Sequence, residues 1–186
     1  MSIEVRGLFF GYEDFRLSIE GLRFEGRKVT SIVGRNGAGK STFLKCLAGV
    51  LPVPKPSLFL DGRNLAPLRV GERARFISYV PQELTLAQST EIFLLDEPTT
   101  FLDPKHEVEV MNLCWKLALD KGKTVIVTLH NLEMAAKYSD VMVFMKEGKV
   151  VASGRPDEVL NTDLLEQVYD LPMSIVTYDG RKIILR

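Results

Sequence analysis

The chain has no excess of charge of either sign: 24 Lys and Arg balance 24 Asp and Glu over 186 residues. No overall field therefore draws it to nucleic acid or to an anionic membrane surface, and no nucleic-acid partner is expected. Long apolar runs are missing too. Residues 92–95 and 125–129 are the best candidates, far short of the roughly 20 residues that cross a bilayer. Membrane association has to come through a partner. The opening MSIEVRGLFFGYEDF carries acids early and lacks a basic stretch leading into an apolar one, so no secretory leader is expected and the expected location is the cytoplasm. Cysteine is scarce. Cys46 and Cys114 lie in stretches of helical apolar spacing without a CxxC pair or a nearby His, which favours buried thiols over a metal site.

What is present is enough apolar material, 46% of residues, for one compact domain over 1–186. Short β-branched runs at 29–33, 77–80, 92–96, 124–129 and 141–145 recur between helical patterns. Several are apolar throughout, as strands covered on both faces must be. The reading is α/β with a largely parallel central sheet. A helix over 41–50 follows a Gly-rich turn. Another runs from Asp103-Pro104, a carboxylate N-cap before a proline at N1, to about Leu119. Its apolar face is Val110, Met111, Cys114, Leu117 and Ala118. Residues 174–177 and 182–185 flank Asp179-Gly180, a pair suited to the positive φ angles of a tight hairpin. Residues 51–56, with three prolines, read as a stiff connector.

Two motifs carry chemistry. Gly34-Arg35-Asn36-Gly37-Ala38-Gly39-Lys40-Ser41 matches GxxxxGK[ST] between an apolar strand and an amphipathic helix, the context a phosphate-binding P-loop requires. Its backbone N–H groups and the helix N-terminus would face the phosphates of ATP. Lys40 would reach the β- and γ-phosphates, and the Ser41 hydroxyl would hold Mg2+, with Thr42 beside it. A plain strand-to-helix turn accounts for the glycines but not for a lysine followed by two hydroxyls. The second motif is the apolar strand 92–95 ending in Asp96-Glu97. A strand delivers carboxylates to its C-terminal edge, where ligands of open α/β sheets collect. Asp96 fits the role of holding Mg2+ and Glu97 that of orienting or deprotonating an attacking water. Alone, such a pair would more often cap the next helix.

Together these motifs resemble those of the ATP-binding-cassette (ABC) ATPases, in particular importer ATPases of the iron-chelate and cobalamin type. Residues 94–103, Leu-Leu-Asp-Glu-Pro-Thr-Thr-Phe-Leu-Asp, resemble the family's Walker B and D-loop, with Phe101 where a small residue is usual. Residues 150–160 resemble the family's tail. The resemblance implies a P-loop core with an antiparallel β subdomain. It implies that Tyr12 stacks on adenine, that Gln82 contacts Mg2+ and the attacking water, and that His130, at the end of the strand 124–129, bonds the γ-phosphate and steadies Glu97. It also implies a transmembrane permease as partner, attachment at the cytoplasmic face of the membrane, and an ATP-dependent homodimer. His106 matches no such role and is expected on the surface.

One family part is missing. Between Gln82 and Asp96 stand only residues 83–95, where the family carries a helical subdomain holding the LSGGQ signature, and no Ser-Gly-Gly occurs in the chain. The subdomain reads as excised near 84–86, whether by natural deletion, by engineering or by a misread gene. Residues 83–90 could still span about 27 Å when extended, so the core sheet is expected to close. In the resembled family the signature stabilises the γ-phosphate in trans, and groups of that kind are worth roughly 10³–10⁵ in rate. The chain is therefore expected to bind Mg-ATP but hydrolyse it poorly, to dimerise weakly and to dock weakly on a permease. The alternatives are a nucleotide-binding module without turnover and a DNA-repair or chromosome-type ATPase of the same superfamily. Neutral charge and the lack of heptads around the gap speak against the last.

Overall fold

The structure, a computed structural model, describes residues 1–53, 57–81, 90–178 and 181–185. The elements in chain order are β1 (Ile3–Gly11), β2 (Arg16–Phe24), β3 (Val29–Val33), α1 (Lys40–Ala48), β4 (Leu58–Leu60), β5 (Arg63–Asn64) and α2 (Val70–Arg73). There follow β6 (Ile77–Pro81), β7 (Ile92–Asp96), α3 (Pro104–Leu119), β8 (Thr124–Thr128), α4 (Leu132–Tyr138) and β9 (Val141–Lys146). The chain closes with β10 (Lys149–Gly154), α5 (Pro156–Val159), α6 (Thr162–Tyr169), β11 (Ser174–Tyr178) and β12 (Arg181–Leu185).

The main sheet has the order β10-β9-β3-β8-β7-β6. Its strands are parallel except for the antiparallel edge pair β9-β10. Every residue of β3, β7 and β8 is buried, because both faces of the sheet are covered. On one face Ile32, Leu94 and Ile126 pack with Phe43, Leu44 and Leu47 of α1, and beyond them Val5, Leu8, Leu17 and Ile19 of a second sheet. That second sheet, β2-β1-β4-β5, is antiparallel. On the other face Val125 and Val127 pack with Met111 and Cys114 of α3 and Leu165 of α6. The fold is thus α/β with a largely parallel central sheet and an antiparallel β subdomain, and α1 runs between the two sheets.

Local differences from the sequence reading have physical causes. α1 stops at Ala48 because Gly49 turns left-handed (φ 81) and its N–H donates back to Cys46 O, a glycine-terminated helix end. Of the expected apolar face of α3, Val110, Met111, Cys114 and Ala118 are buried and Leu117 is half-buried. Both thiols are buried, and burial pushes each up to about 12. β6 and β7 pair in parallel from Ile77↔Ile92 to Pro81↔Asp96, so the main sheet closes across the short connection between them. Residues 54–56 of the proline connector, Gln82 with the expected excision point at 84–86, and the hairpin turn Asp179-Gly180 lie outside the described residues. The hairpin strands β11 and β12 are paired as expected.

The turn between β9 and β10 joins the two sheets. Glu147 (φ 47) and Gly148 (φ 74) are both left-handed. Gly148 N donates to Ala38 O at 3.0 Å, while Gly148 O accepts from Ser18 N of β2 at 2.8 Å. A Cβ on Gly148 would lie 1.9 Å from Arg16 O, so only glycine fits.

Candidate functional site

β3, β7 and β8 are neighbours in the main sheet, and their C-terminal ends bring the loop 34–39, Asp96-Glu97 and His130 to one edge, where an open parallel sheet binds its ligands. Backbone clearance shapes the loop. A Cβ on Gly34 (φ 153) would meet Met145 O at 2.2 Å, and one on Gly39 (φ 96) would meet Phe15 Cζ at 2.6 Å. Gly39 is the N-cap of α1 and supplies no side-chain hydrogen bond to it. The first-turn N–H groups of α1 therefore face the site with no cap of their own, the arrangement that receives an anion.

A cleft of about 780 Å³ lies over this edge. Its lining includes Tyr12 and Phe15, Asn36, Gly37 and Gly39 to Thr42 of the loop and first turn of α1, and Glu97 and His130. Tyr12 is exposed and meets Phe10 in a T-shaped contact at 5.0 Å between ring centroids. Lys40 is only 4% exposed, and its Nζ donates to Gly34 O at 2.9 Å and Arg35 O at 3.2 Å. Burial lowers its pKa, with the carboxylates of Glu97 and Asp96 acting the other way.

Asp96 is 8% exposed and surrounded by hydroxyls. Its Oδ1 accepts from Ser41 Oγ at 2.8 Å and from Thr128 Oγ1 at 2.9 Å, and its Oδ2 accepts from Tyr79 OH at 3.0 Å. Burial and the Asp96 charge raise the Tyr79 phenol, keeping it a donor. Glu97 is left-handed (φ 52). Its N–H donates to Thr128 Oγ1 at 2.8 Å, and its Oε1 lies 2.8 Å from His130 Nε2. An ionised carboxylate only accepts, so Nε2 carries a proton in that pair. The Ser41 hydroxyl and the Asp96 carboxylate are hard oxygen donors in contact, the set that suits Mg2+. Among the described residues no three His, Cys, Asp or Glu cluster as a metal-ligand group.

Most residues singled out from sequence therefore meet in one place. Arg35 does not point into the cleft: its Nη1 is 2.6 Å from Asp170 Oδ2, a carboxylate that also takes Lys146 Nζ at 2.6 Å. These two cations hold the Asp170 carboxyl below its usual range, Lys146 first. Arg35 thus contributes backbone to the loop and its side chain to an ion pair outside it. Ala38 is buried, its carbonyl held by Gly148. Gln82 lies outside the described residues. Phe101 lines the cleft at 97% exposure with φ 67. His106 is exposed and pairs with Asp103. Sequence reading missed Phe15, Tyr79 and Thr128. Phe15 stands three residues after Tyr12, and Thr128 is a hydroxyl at the C-terminal end of β8, two residues before His130.

Comparison with known proteins gives the family of the chain. The petrobactin import ATP-binding protein YclP of Bacillus subtilis is 26% identical, with 84% of this chain and 87% of that protein covered. That alignment runs over 220 residues, more than the 186 of this chain, so it opens gaps here. The ferric enterobactin transport ATP-binding protein FepC of Escherichia coli is 27% identical over 79% of each chain. The structure of cbiO1 from Clostridium perfringens, part of the ABC transporter complex cbiONQ, shares the fold with a TM-score of 0.73 at 22% identity, covering 84% of this chain and 89% of that one. The ABC transporter family pattern matches residues 20–134. With more than half of the chain inside that match, the protein belongs to the ABC transporter family and is by family an ATP-binding ATPase.

Proposed function

We propose that this chain is the Mg-ATP-binding subunit of an importer of iron chelates, complete in its own half of the active site and slow to hydrolyse ATP by itself. In this reading Tyr12 stacks on adenine, and the backbone of 34–42 with Lys40 cradles the phosphates. Ser41 and Asp96 hold Mg2+, with Gln82 as the further ligand the family supplies. Bound Mg2+ would neutralise charge on the phosphate oxygens. Glu97 orients the attacking water and accepts its proton, and His130 keeps that carboxylate aimed at the cleft.

The observation that carries the reading is the convergence of Lys40, Ser41, Glu97 and His130 on one cleft, with His130 Nε2 and Glu97 Oε1 2.8 Å apart. The import of iron chelates rests on the printed roles of the relatives, proteins for petrobactin and ferric enterobactin. Slow turnover rests on the absence of Ser-Gly-Gly from the chain and is supported by the gapped alignment with YclP. Residues 1–186 are then a single nucleotide-binding domain without its helical subdomain, excised near 84–86. The same loss weakens the ATP-dependent dimer and the docking on a permease.

The test compares ATP affinity and steady-state hydrolysis of this chain with those of a version carrying a helical subdomain restored between Leu84 and Leu86. Tight ATP binding by both, with turnover only in the restored version, is the expected result. Turnover of this chain at the restored rate would overturn slow hydrolysis, and no ATP binding by either would overturn the site.

A further inference from the structure

We propose that Thr128 is a positioning residue that sets Asp96 and Glu97 relative to one another, so that cation binding at Asp96 depends on its hydroxyl; this rests on the Mg-ATP reading above. The direction of its bonds is fixed by chemistry. An amide N–H can only donate, so Thr128 Oγ1 accepts from Glu97 N at 2.8 Å. The single hydroxyl proton is then free for the other neighbour, Asp96 Oδ1 at 2.9 Å, which only accepts when ionised. One oxygen thus joins the backbone of Glu97 to the carboxylate of Asp96.

A buried threonine can simply be satisfying its own hydroxyl, and β8 offers the comparison. Thr124 lies four residues earlier on the same face of the strand, is equally buried, and gives its hydroxyl proton to the main-chain carbonyl of Met1 at 2.6 Å, away from the cleft. Thr128 instead spends both of its bonds on the two acidic residues of the site. Glu97 needs such a hold: left-handed φ is costly for a non-glycine residue and persists only where the surroundings impose it. The Thr128 bond holds its backbone and the His130 contact holds its carboxylate. At Asp96, Thr128 and Tyr79 occupy opposite oxygens, which fixes the plane of the carboxylate that Ser41 touches. Outer partners of this kind change metal affinity by roughly 10–100-fold when removed.

Two readouts test the proposal: the factor by which Mg2+ raises ATP affinity, from titrations with and without Mg2+, and the exchange rate of the Glu97 amide by NMR. In the unaltered protein the amide is expected to be protected. Thr128→Val, close in shape, is expected to cut the Mg2+ factor about tenfold or more, to leave metal-free ATP affinity within about twofold and to speed Glu97 exchange. Thr128→Ser is expected to restore both. Tyr79→Phe removes a donor from Asp96 without touching Glu97, so it should lower the Mg2+ factor and leave the amide protected. A Thr128→Val protein with an unchanged Mg2+ factor, an unprotected Glu97 amide in the unaltered chain, or equal loosening of that amide by Tyr79→Phe would each overturn the proposal. An unaltered chain that binds no ATP would instead sink the proposed function, and the amide rates would still decide whether Thr128 holds Glu97.

Discussion

At its N-terminal end α1 is preceded by Gly39, which brings no capping side chain, and the Lys40 side chain there donates to two carbonyls of the preceding loop. At its C-terminal end the last turn is closed twice. Gly49 folds its N–H back onto Cys46 O, and the guanidinium of Arg73, 3% exposed, donates to Cys46 O at 3.1 Å and Leu47 O at 3.4 Å. The same guanidinium reaches Leu65 O at 3.0 Å and Ala66 O at 3.3 Å. Burial lowers the Arg73 pKa, but a cation on helix carbonyls at the negative end of the dipole is well placed. One end is closed by the protein's own groups, and the other has no side-chain cap. The N-terminus of α3 shows that the open end is not a default. There Asp103 accepts from the N–H groups of Lys105 and His106 at 3.0 and 3.1 Å, with Pro104 at N1, so that helix carries its own anion.

The largest expected effect lies at the closed end. Arg73→Met removes a buried guanidinium from four carbonyls, of which Cys46 O and Leu65 O keep a backbone donor while Leu47 O and Ala66 O lose the Arg73 bond, and should cost about 3 kcal/mol in urea or guanidinium unfolding; an unchanged midpoint would mean that Arg73 does not close α1. Next is the open end. Lys40→Met should leave the stability of the ligand-free protein within about 1 kcal/mol, because its partners among the described residues are two loop carbonyls. It should weaken ATP roughly 10–100-fold, the worth of a charge-assisted bond, and abolish most of the rise in melting temperature that ATP gives. Asp103→Ala is expected to cost about 1 kcal/mol by loss of the cap, with no change in ATP affinity; a parallel loss of ATP binding would blur the contrast between the two N-termini. The smallest effect is in pH. Hydrogen bonding to Asp103 raises the His106 pKa, so its contribution is full below the unfolded value near 6.5 and is lost as pH rises through the raised folded value. An NMR titration should show His106 above the usual value in the unaltered protein and back near it in Asp103→Ala.

The open end of α1 was legible because its residues are contiguous: glycine spacing, Lys40 and Ser41 specify a loop and a helix start within one turn. Asp96, Glu97 and His130 were legible because each closes an apolar strand, and neighbouring parallel strands end at one edge. The Asp103 cap, with its proline, is equally local. The closed end was hidden. Arg73 meets Cys46 O across 27 residues of sequence, and Thr128 meets Asp96 across 32. No spacing rule connects a hydroxyl or guanidinium to a partner that only the sheet or α2 brings near. Arg35 misled for a related reason, since the loop pattern fixes its backbone while Asp170, far along the chain, decides where its side chain goes.

The Glu147-Gly148 turn bears on how the cleft can move. A single residue, Gly148, is tied through its N–H to Ala38 of the glycine-rich loop and through its carbonyl to Ser18 of β2, and β2 runs beside β1 up to Gly11, next to Tyr12. The antiparallel sheet that leads to Tyr12 and the glycine-rich loop are therefore fastened together at one residue, and a displacement of either is passed to the other through two backbone hydrogen bonds.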